Sequence, residues 1–372
     1  VGGYTVNIIV LTSSRADYGI YLPLLKKFKN DIFFNLKIVV FGTHLSKKHG
    51  TTVNQIYKDG FEVAYKLETL LEGDSPKIIS KSMALTIDKF AELWAKEKSF
   101  VDLIFCLGDR YEMFAAVSAT IPFNIPVAHL HGGETTLGAI DNSFRHSITL
   151  MSKIHFASTE NHAKRIGQII GKNNHIYNVG ALSLDNLNDL KILNVQEFYE
   201  KFNIKLQQPI LVTFHPETVN YEKNEEYIKE LISALNTLDK QILITMPNSD
   251  TMSDVIRQRL LEFEKEKNNV IIVESLGTEG YFSCLSHCAF VLGNSSSGII
   301  EAASLGKYVI NIGDRQKGRD SGKNVIHCEI KKEIIIDKIN LINTLTQPKT
   351  TNIYGCGKTG NKIISILKST TI

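Results

Sequence analysis

A chain of 372 residues, 43% hydrophobic and 22% charged, has length for two or three domains at about 150 residues each. That excludes a mini-protein, and the ordinary composition excludes collagen-like and disordered chains. Lys and Arg number 42 against 39 Asp and Glu, a formal charge of +3 with no sustained basic run, so nucleic acid is not expected as the main partner.

The chain opens on Val1-Gly2-Gly3-Tyr4 and passes straight into a β-branched run, without the pattern of a secretory leader. Its five cysteines, Cys106, Cys284, Cys288, Cys328 and Cys356, are irregularly spaced and read as reduced thiols, so a cytoplasmic location is expected. No apolar run approaches the roughly 20 residues that span a bilayer, and no membrane partner is expected.

Short β-branched runs alternate with segments of helical period. Strands are predicted at Val6 to Leu11, Leu36 to Phe41, Phe61 to Leu67, Leu103 to Leu107, Pro126 to Leu130 and Ile154 to Ala157, with a helix over Lys77 to Lys96. The alternation weakens between Gly180 and Gln208, where a domain junction is placed. It restarts with strands at Ile210 to Phe214, Gln241 to Met246, Val270 to Glu274, Phe290 to Gly293 and Tyr308 to Ile312. The fold class expected is α/β: two doubly wound, Rossmann-like domains facing each other across a cleft. Residues 1–183 form the first, 184–354 the second, and 355–372 a last helix returning toward the first.

In such sheets ligands bind beyond the carboxyl ends of the strands, and those loops are unusually polar here. Asn294-Ser295-Ser296-Ser297-Gly298 joins a strand to a helical segment, so small residues bring N–H groups and hydroxyls together as an anion site; a plain serine cap is the alternative. Glu301, further along, is placed to accept both hydroxyls of a ribose or to favour a helix start. In the first domain Asp109, Asp141 and Glu134, with His131 and Arg145, make an acid/base group, although Asp141 and Arg145, four apart, also suit a surface helix pair. His215, directly after a strand, is expected to face the cleft, whereas His146 and His155 read as ordinary hydrogen-bonded histidines.

Two motifs are set aside. Gly355-Cys356-Gly357-Lys358-Thr359 has Asn352 where a phosphate loop needs glycine, and reads as a turn before the last helix. Cys284 and Cys288 lack a second Cys/His pair to complete a zinc site. No strand leads into a dinucleotide fingerprint, so no cofactor is expected, and no Asp-x-Asp pair follows a strand to carry a metal.

As a set, Ser13-Ser14-Arg15-Ala16-Asp17-Tyr18-Gly19, Gly108-Asp109-Arg110-Tyr111-Glu112, His129-Leu130-His131-Gly132-Gly133-Glu134, Phe144-Arg145-His146-Ser147, His215-Pro216-Glu217-Thr218, Gly293 to Gly298 and Asp314 to Arg319 resemble the hydrolysing UDP-N-acetylglucosamine 2-epimerases, most closely the branch serving sialic-acid and legionaminic-acid synthesis. The likeness runs in order along nearly the whole chain. It implies a GT-B fold, UDP held mainly by the C-terminal domain, the sugar in the cleft, and a homodimer. It maps nucleotide binding onto Arg15, Ser295, Ser296 and Glu301, with His215 near the diphosphate, and acid/base work onto Asp109 and Asp141. Arg145, Asn248, Tyr281 and Arg315 complete the candidate substrate-binding set. Part of the family has Glu where this chain has His131; either His131 takes that role or Glu134 does.

The chemistry accounts for such parts. The C2 proton of an N-acetylhexosamine is not acidic until the anomeric bond breaks, so UDP leaves first or together with it. A carboxylate then takes the C2 proton, and water and a proton return to C1 and C2. A GT-B glycosyltransferase would use the same UDP pocket but deliver the sugar to an acceptor, and stands as the alternative; a nucleotide-sugar-binding regulator would keep Ser295 and Glu301 but would not need Asp109, Asp141 and His131 together.

Overall fold

The computed structural model describes residues 5–247, 250, 252–348 and 352–370, in two compact units. The first unit runs up to Glu134, resumes over Asp141–Asp189 and takes in the chain from Tyr354 onward; the second holds Thr135–Ile140 and Leu190–Ile353.

In the first unit β1 (Val6–Thr12), α1 (Arg15–Asn30), β2 (Phe34–Phe41), α2 (Val53–Lys58), β3 (Tyr65–Leu67), α3 (Pro76–Glu97), β4 (Leu103–Leu107) and α4 (Tyr111–Ser118) are followed by β5 (Val127–Leu130), α5 (Asp141–Met151), β6 (Ile154–Ala157), α6 (Glu160–Ile170), β7 (Ile176–Asn178) and α7 (Asn186–Asp189). The strands form one parallel sheet in the order β3-β2-β1-β4-β5-β6-β7. Period-two alternation feeds a core on each face: Ile8 and Val10 enter one, Ile9 and Leu11 the other. That double burial is why β4 reads as an unbroken apolar run.

The second unit repeats the plan with α8 (Val195–Phe202), β8 (Ile210–Thr213), α9 (Asn224–Leu235), β9 (Ile242–Thr245), α10 (Ser253–Glu266), β10 (Val270–Val273), α11 (Gly277–His287), β11 (Phe290–Gly293), α12 (Ser296–Ile300), β12 (Val309–Ile312), β13 (Val325–Cys328) and α13 (Lys332–Thr344). Its sheet, also parallel, is ordered β10-β9-β8-β11-β12-β13. Both units are thus Rossmann-like α/β layers. No helix among the described residues is long and apolar enough to cross a membrane.

The last helix, α14 (Thr359–Ser369), buries Ile363 and Leu367 in the first unit's core. Its first N–H groups lack intrahelical acceptors, and the buried Asp185 carboxylate takes them, from Thr359 at 2.9 Å and Gly360 at 2.7 Å. The units divide at Asp189 and Leu190, a few residues past Ser183, because Leu182 and Leu184 are buried in the first. The strand expected from Phe61 is shorter: Phe61 is a core residue ahead of β3, and pairing with β2 covers only Tyr65 to Leu67. The edge strands β7 and β13, three and four residues long and half-exposed, carry too little pattern to be anticipated.

Candidate functional site

In the first unit the chemistry gathers beyond β1, β4 and β5. After β1, Asp17 turns back to accept from Ser13 N and Oγ, both at 2.8 Å, and from Ser14 N at 3.1 Å, while Ser14 caps α1. This box explains why Asp17 stands in the motif: it shapes the turn that presents Arg15 as the first residue of α1. After β4, Gly108 takes a left-handed φ of +78° and Asp109 follows. Arg145 of α5, only 1% exposed, pairs with Asp109 Oδ2 and donates to Glu134 O at 2.9 Å. The surface-pair reading of Arg145 is thereby excluded; it is a buried cation tying the ends of β4 and β5. Arg110 pairs in turn with the buried Glu112, at 3.0 Å. His129 lies 2.7 Å from Gly108 O, and burial pushes its pKa down to about 3, so it is a neutral prop under this turn.

Beyond β5, His131 is a non-glycine residue at φ +63°, a conformation costing on the order of 1 to 3 kcal/mol. Its Nδ1 lies 2.7 Å from Glu134 Oε1. Gly133 between them is required: a Cβ there, at φ +76°, would stand 2.3 Å from His162 O of α6. Asp141, half-buried, opens α5. Asp109, His131 and Glu134 are thus carried by the loops after the neighbouring strands β4 and β5, and Asp141 and Arg145 by α5. His155 departs from its expected ordinary bonding. Both ring nitrogens are buried without a partner among the described residues, and its pKa is pushed down to about 4, chiefly by burial.

In the second unit Asn294, fully buried after β11, brackets His215: its Oδ1 accepts from His215 N at 2.7 Å and its Nδ2 donates to His215 O at 2.8 Å. Gly293 makes the approach possible, since a Cβ there would stand 2.0 Å from Thr213 O. Ser295 precedes α12 without capping it through its side chain; its Oγ lies 3.1 Å from Ser297 Oγ, which also meets the Tyr281 hydroxyl of α11. Burial, then the Glu301 charge, push the Tyr281 pKa up. Glu301 closes the short α12 rather than standing inside a longer helix, and is buried. Arg315 donates to Asn294 O at 3.3 Å and lies 3.6 Å from Asp250, while Gln316 donates to the same carbonyl at 2.9 Å. Asn248 lies outside the described residues.

Asn294, Gln316 and Glu217 lie within the sequence motifs but had no role assigned to them there. Glu217 accepts from Asp314 N at 2.6 Å and holds the loop after β12, its pKa raised by burial. Asn294 follows β11 directly, whereas Glu217 and Gln316 stand four residues beyond β8 and β12, where sequence gives no mark of their role. The segment Thr135–Ile140 also binds this loop, Gly138 N donating to Asp314 O at 3.0 Å and Leu137 N to Lys317 O at 3.0 Å. All cysteines are free, and Cys106, Cys284 and Cys288 are buried.

Comparison with known proteins settles the family. Residues 26–368 match the family model described as UDP-N-acetylglucosamine 2-epimerase. The chain belongs to that family. A relative in Escherichia coli, named polysialic acid biosynthesis protein P7, is 36% identical over 339 residues, covering 90% of this chain and 85% of its own. A hydrolysing UDP-N,N'-diacetylbacillosamine 2-epimerase of Legionella pneumophila is 34% identical over 366 residues, covering 98% of this chain and 96% of its own. Among solved structures, the Neisseria meningitidis UDP-GlcNAc 2-epimerase bound to UDP-GlcNAc superposes with a TM-score of 0.83 at 18% identity, covering 98% of this chain and all of that one. The fold is that of the family's epimerases, and hydrolysing members stand among its relatives.

Proposed function

We propose that the chain is a hydrolysing UDP-sugar 2-epimerase, converting UDP-N-acetylglucosamine or a UDP-2,4-diacetamido-trideoxyglucose and water into UDP and the free 2-epimer. The observation that carries this reading is the group of Asp109, His131 and Glu134 beyond β4 and β5, tied by the buried Arg145 to Asp109 and to the Glu134 backbone, with Asp141 opening the helix that carries Arg145. Two acid/base groups are needed to take a proton from one face of C2 and return one to the other, and this group offers candidates for both. The second unit supplies what a leaving diphosphate needs. Ser295, Ser296 and the first N–H groups of α12 take its negative charge together with Arg315, and Glu301 suits a ribose; Arg15, in the first unit, is assigned to nucleotide binding by the family likeness. Arg145, His215, Asn248 and Tyr281 are assigned to substrate binding, as the family likeness implies.

The reaction opens with departure of UDP from C1. A carboxylate, Asp109 or Asp141, takes the C2 proton and leaves a 2-acetamidoglucal. Water then adds at C1 and a proton at C2, from the face opposite to its removal. The hydrolysing relatives and the sialic-acid vocabulary of the Escherichia coli relative's name support a place in nonulosonic acid synthesis, carried out in the cytoplasm by a homodimer without metal or cofactor.

Incubating the protein with each UDP-sugar and no acceptor tests this directly. UDP and a free manno-configured sugar should appear together, and the faster substrate identifies the C4 group. In D₂O the product should carry deuterium at C2, and ¹⁸O from labelled water should enter the sugar and not UDP. Protium retained at C2, or release of neither product without an acceptor, would overturn the reading.

A further inference from the structure

Behind Glu134 stand two side chains that no sequence motif marked. Ser158, directly after β6, donates its hydroxyl to Glu134 Oε1 at 2.8 Å and lies 2.9 Å from Nδ1 of His162 in the first turn of α6. All three residues are buried, at 1%, 2% and 0% exposure respectively. A serine hydroxyl has a single hydrogen; with that hydrogen on the carboxylate, Ser158 Oγ must accept from His162 Nδ1–H. His131 Nδ1 reaches the same Oε1 at 2.7 Å. Because an ionised carboxylate only accepts, His131 carries its neutral-form hydrogen on Nδ1 as well. Donors therefore point from both sides toward Glu134, and the tautomer of His131 is fixed with the lone pair on Nε2. That nitrogen is buried and has no partner among the described residues.

The arrangement has the logic of a base oriented by a buried acid. It also accounts for the backbone strain at His131, since the ring reaches Glu134 from a left-handed residue and the Gly133 turn presses that loop against α6. Resting on the epimerase reading above, we propose that His131 is the catalytic residue that returns the proton to C2, and that Glu134, Ser158 and His162 are positioning residues that fix its tautomer and steady its charged form.

In the hydration half-reaction the C1–C2 double-bond pair of the glycal takes the proton from Nε2 of the imidazolium. The C2–H bond forms and neutral imidazole remains. Water captures C1, the C1–O bond forms, and the surplus proton of that water leaves to solvent. The imidazole regains a proton from solvent before the next turnover.

The test supplies 2-acetamidoglucal and UDP in D₂O and follows hydration with deuterium entry at C2. His131→Gln should slow this step by about 10²-fold or more and let the glycal accumulate from UDP-sugar. Ser158→Ala should lower kcat about tenfold with KM unchanged, as expected for a group acting only through another, and Ser158→Thr should restore it. The limb of the pH–kcat profile that vanishes in His131→Gln should move to lower pH in Glu134→Gln, where the neighbouring negative charge is gone. Independently of turnover, ¹⁵N spectra of ring-labelled histidine, with His131 assigned by its loss in His131→Gln, should show the neutral ring protonated at Nδ1. A ring protonated at Nε2, glycal hydration at the wild-type rate in His131→Gln, or an unmoved limb in Glu134→Gln overturns the proposal. Failure of every UDP-sugar to yield UDP would instead overturn the reaction beneath it, and the tautomer measurement would still decide the relay.

Discussion

The two units share one sheet plan but handle charge in opposite ways. At the strand ends of the first, ionisable side chains meet in pairs: Arg145 with Asp109, Arg110 with Glu112, His131 with Glu134. At the strand ends of the second, amides and hydroxyls do most of the holding, with Asn294 bracketing His215 and the Ser295 to Ser297 run beside α12. Proton transfer at carbon needs groups whose protonation and orientation are fixed beforehand, which buried ion pairs and fixed tautomers supply. Binding a dianion, as proposed for the second unit, calls chiefly for N–H and hydroxyl donors, and there Arg315 also lies 3.6 Å from Asp250. On the proposed reading one scaffold can serve both, because the loops carry the chemistry and the cores do not.

The sharpest way to break this comparison is to remove one charge from the first unit. Asp109→Asn should lower kcat by about 10²- to 10⁴-fold while UDP affinity, measured by calorimetry, stays near wild type; a comparable loss of UDP binding would erase the division of labour. Arg145→Met leaves the Asp109 carboxylate without its buried guanidinium and should cost about 3 to 5 kcal/mol of unfolding free energy, read from denaturant midpoints. A variant as stable as wild type would show the pair to be dispensable.

The third experiment uses the first unit's buried histidines. His155 and His129 have pKa values pushed down to about 4 and about 3, so below the ordinary histidine pKa the unfolded chain binds protons that the folded one refuses. Stability should be full above about pH 6.5 and fall as the pH drops toward 4, by on the order of 3 kcal/mol for His155. His155→Leu should flatten the thermal midpoint across that window, and an unchanged slope would place the acid sensitivity elsewhere. The smallest effect belongs to the second unit: Ser295→Ala should weaken UDP binding by about 1 kcal/mol with kcat for bound substrate unchanged. A loss in kcat alone would put Ser295 with the chemistry instead.

Much of this was legible in the sequence, for reasons visible in particular residues. β4 and β11 were read to the residue because fully buried parallel strands leave unbroken apolar runs, and the loops after them stood out because Asp109 and Asn294 interrupt those runs so abruptly. What stayed hidden depends on folding in three dimensions. Ser158 and His162 sit in an ordinary helix start and matter only because Gly133 lets its loop close on α6. His131 gives no sign in sequence of its left-handed backbone. Nothing local in the sequence marks that α12 ends at Glu301.

The short segment Thr135–Ile140 makes the protein difficult to take apart. It is flanked by Glu134 and Asp141, both in the first unit, yet it belongs to the second, so the chain passes between units four times. Neither half is a contiguous stretch of gene. A chimera that exchanges residues 190–353 for those of a relative would keep a foreign Gly138 loop against the new residues around Asp314. An exchange that carries Thr135–Ile140 with it would transplant a whole unit, so recombination among these enzymes is favoured when both pieces move together.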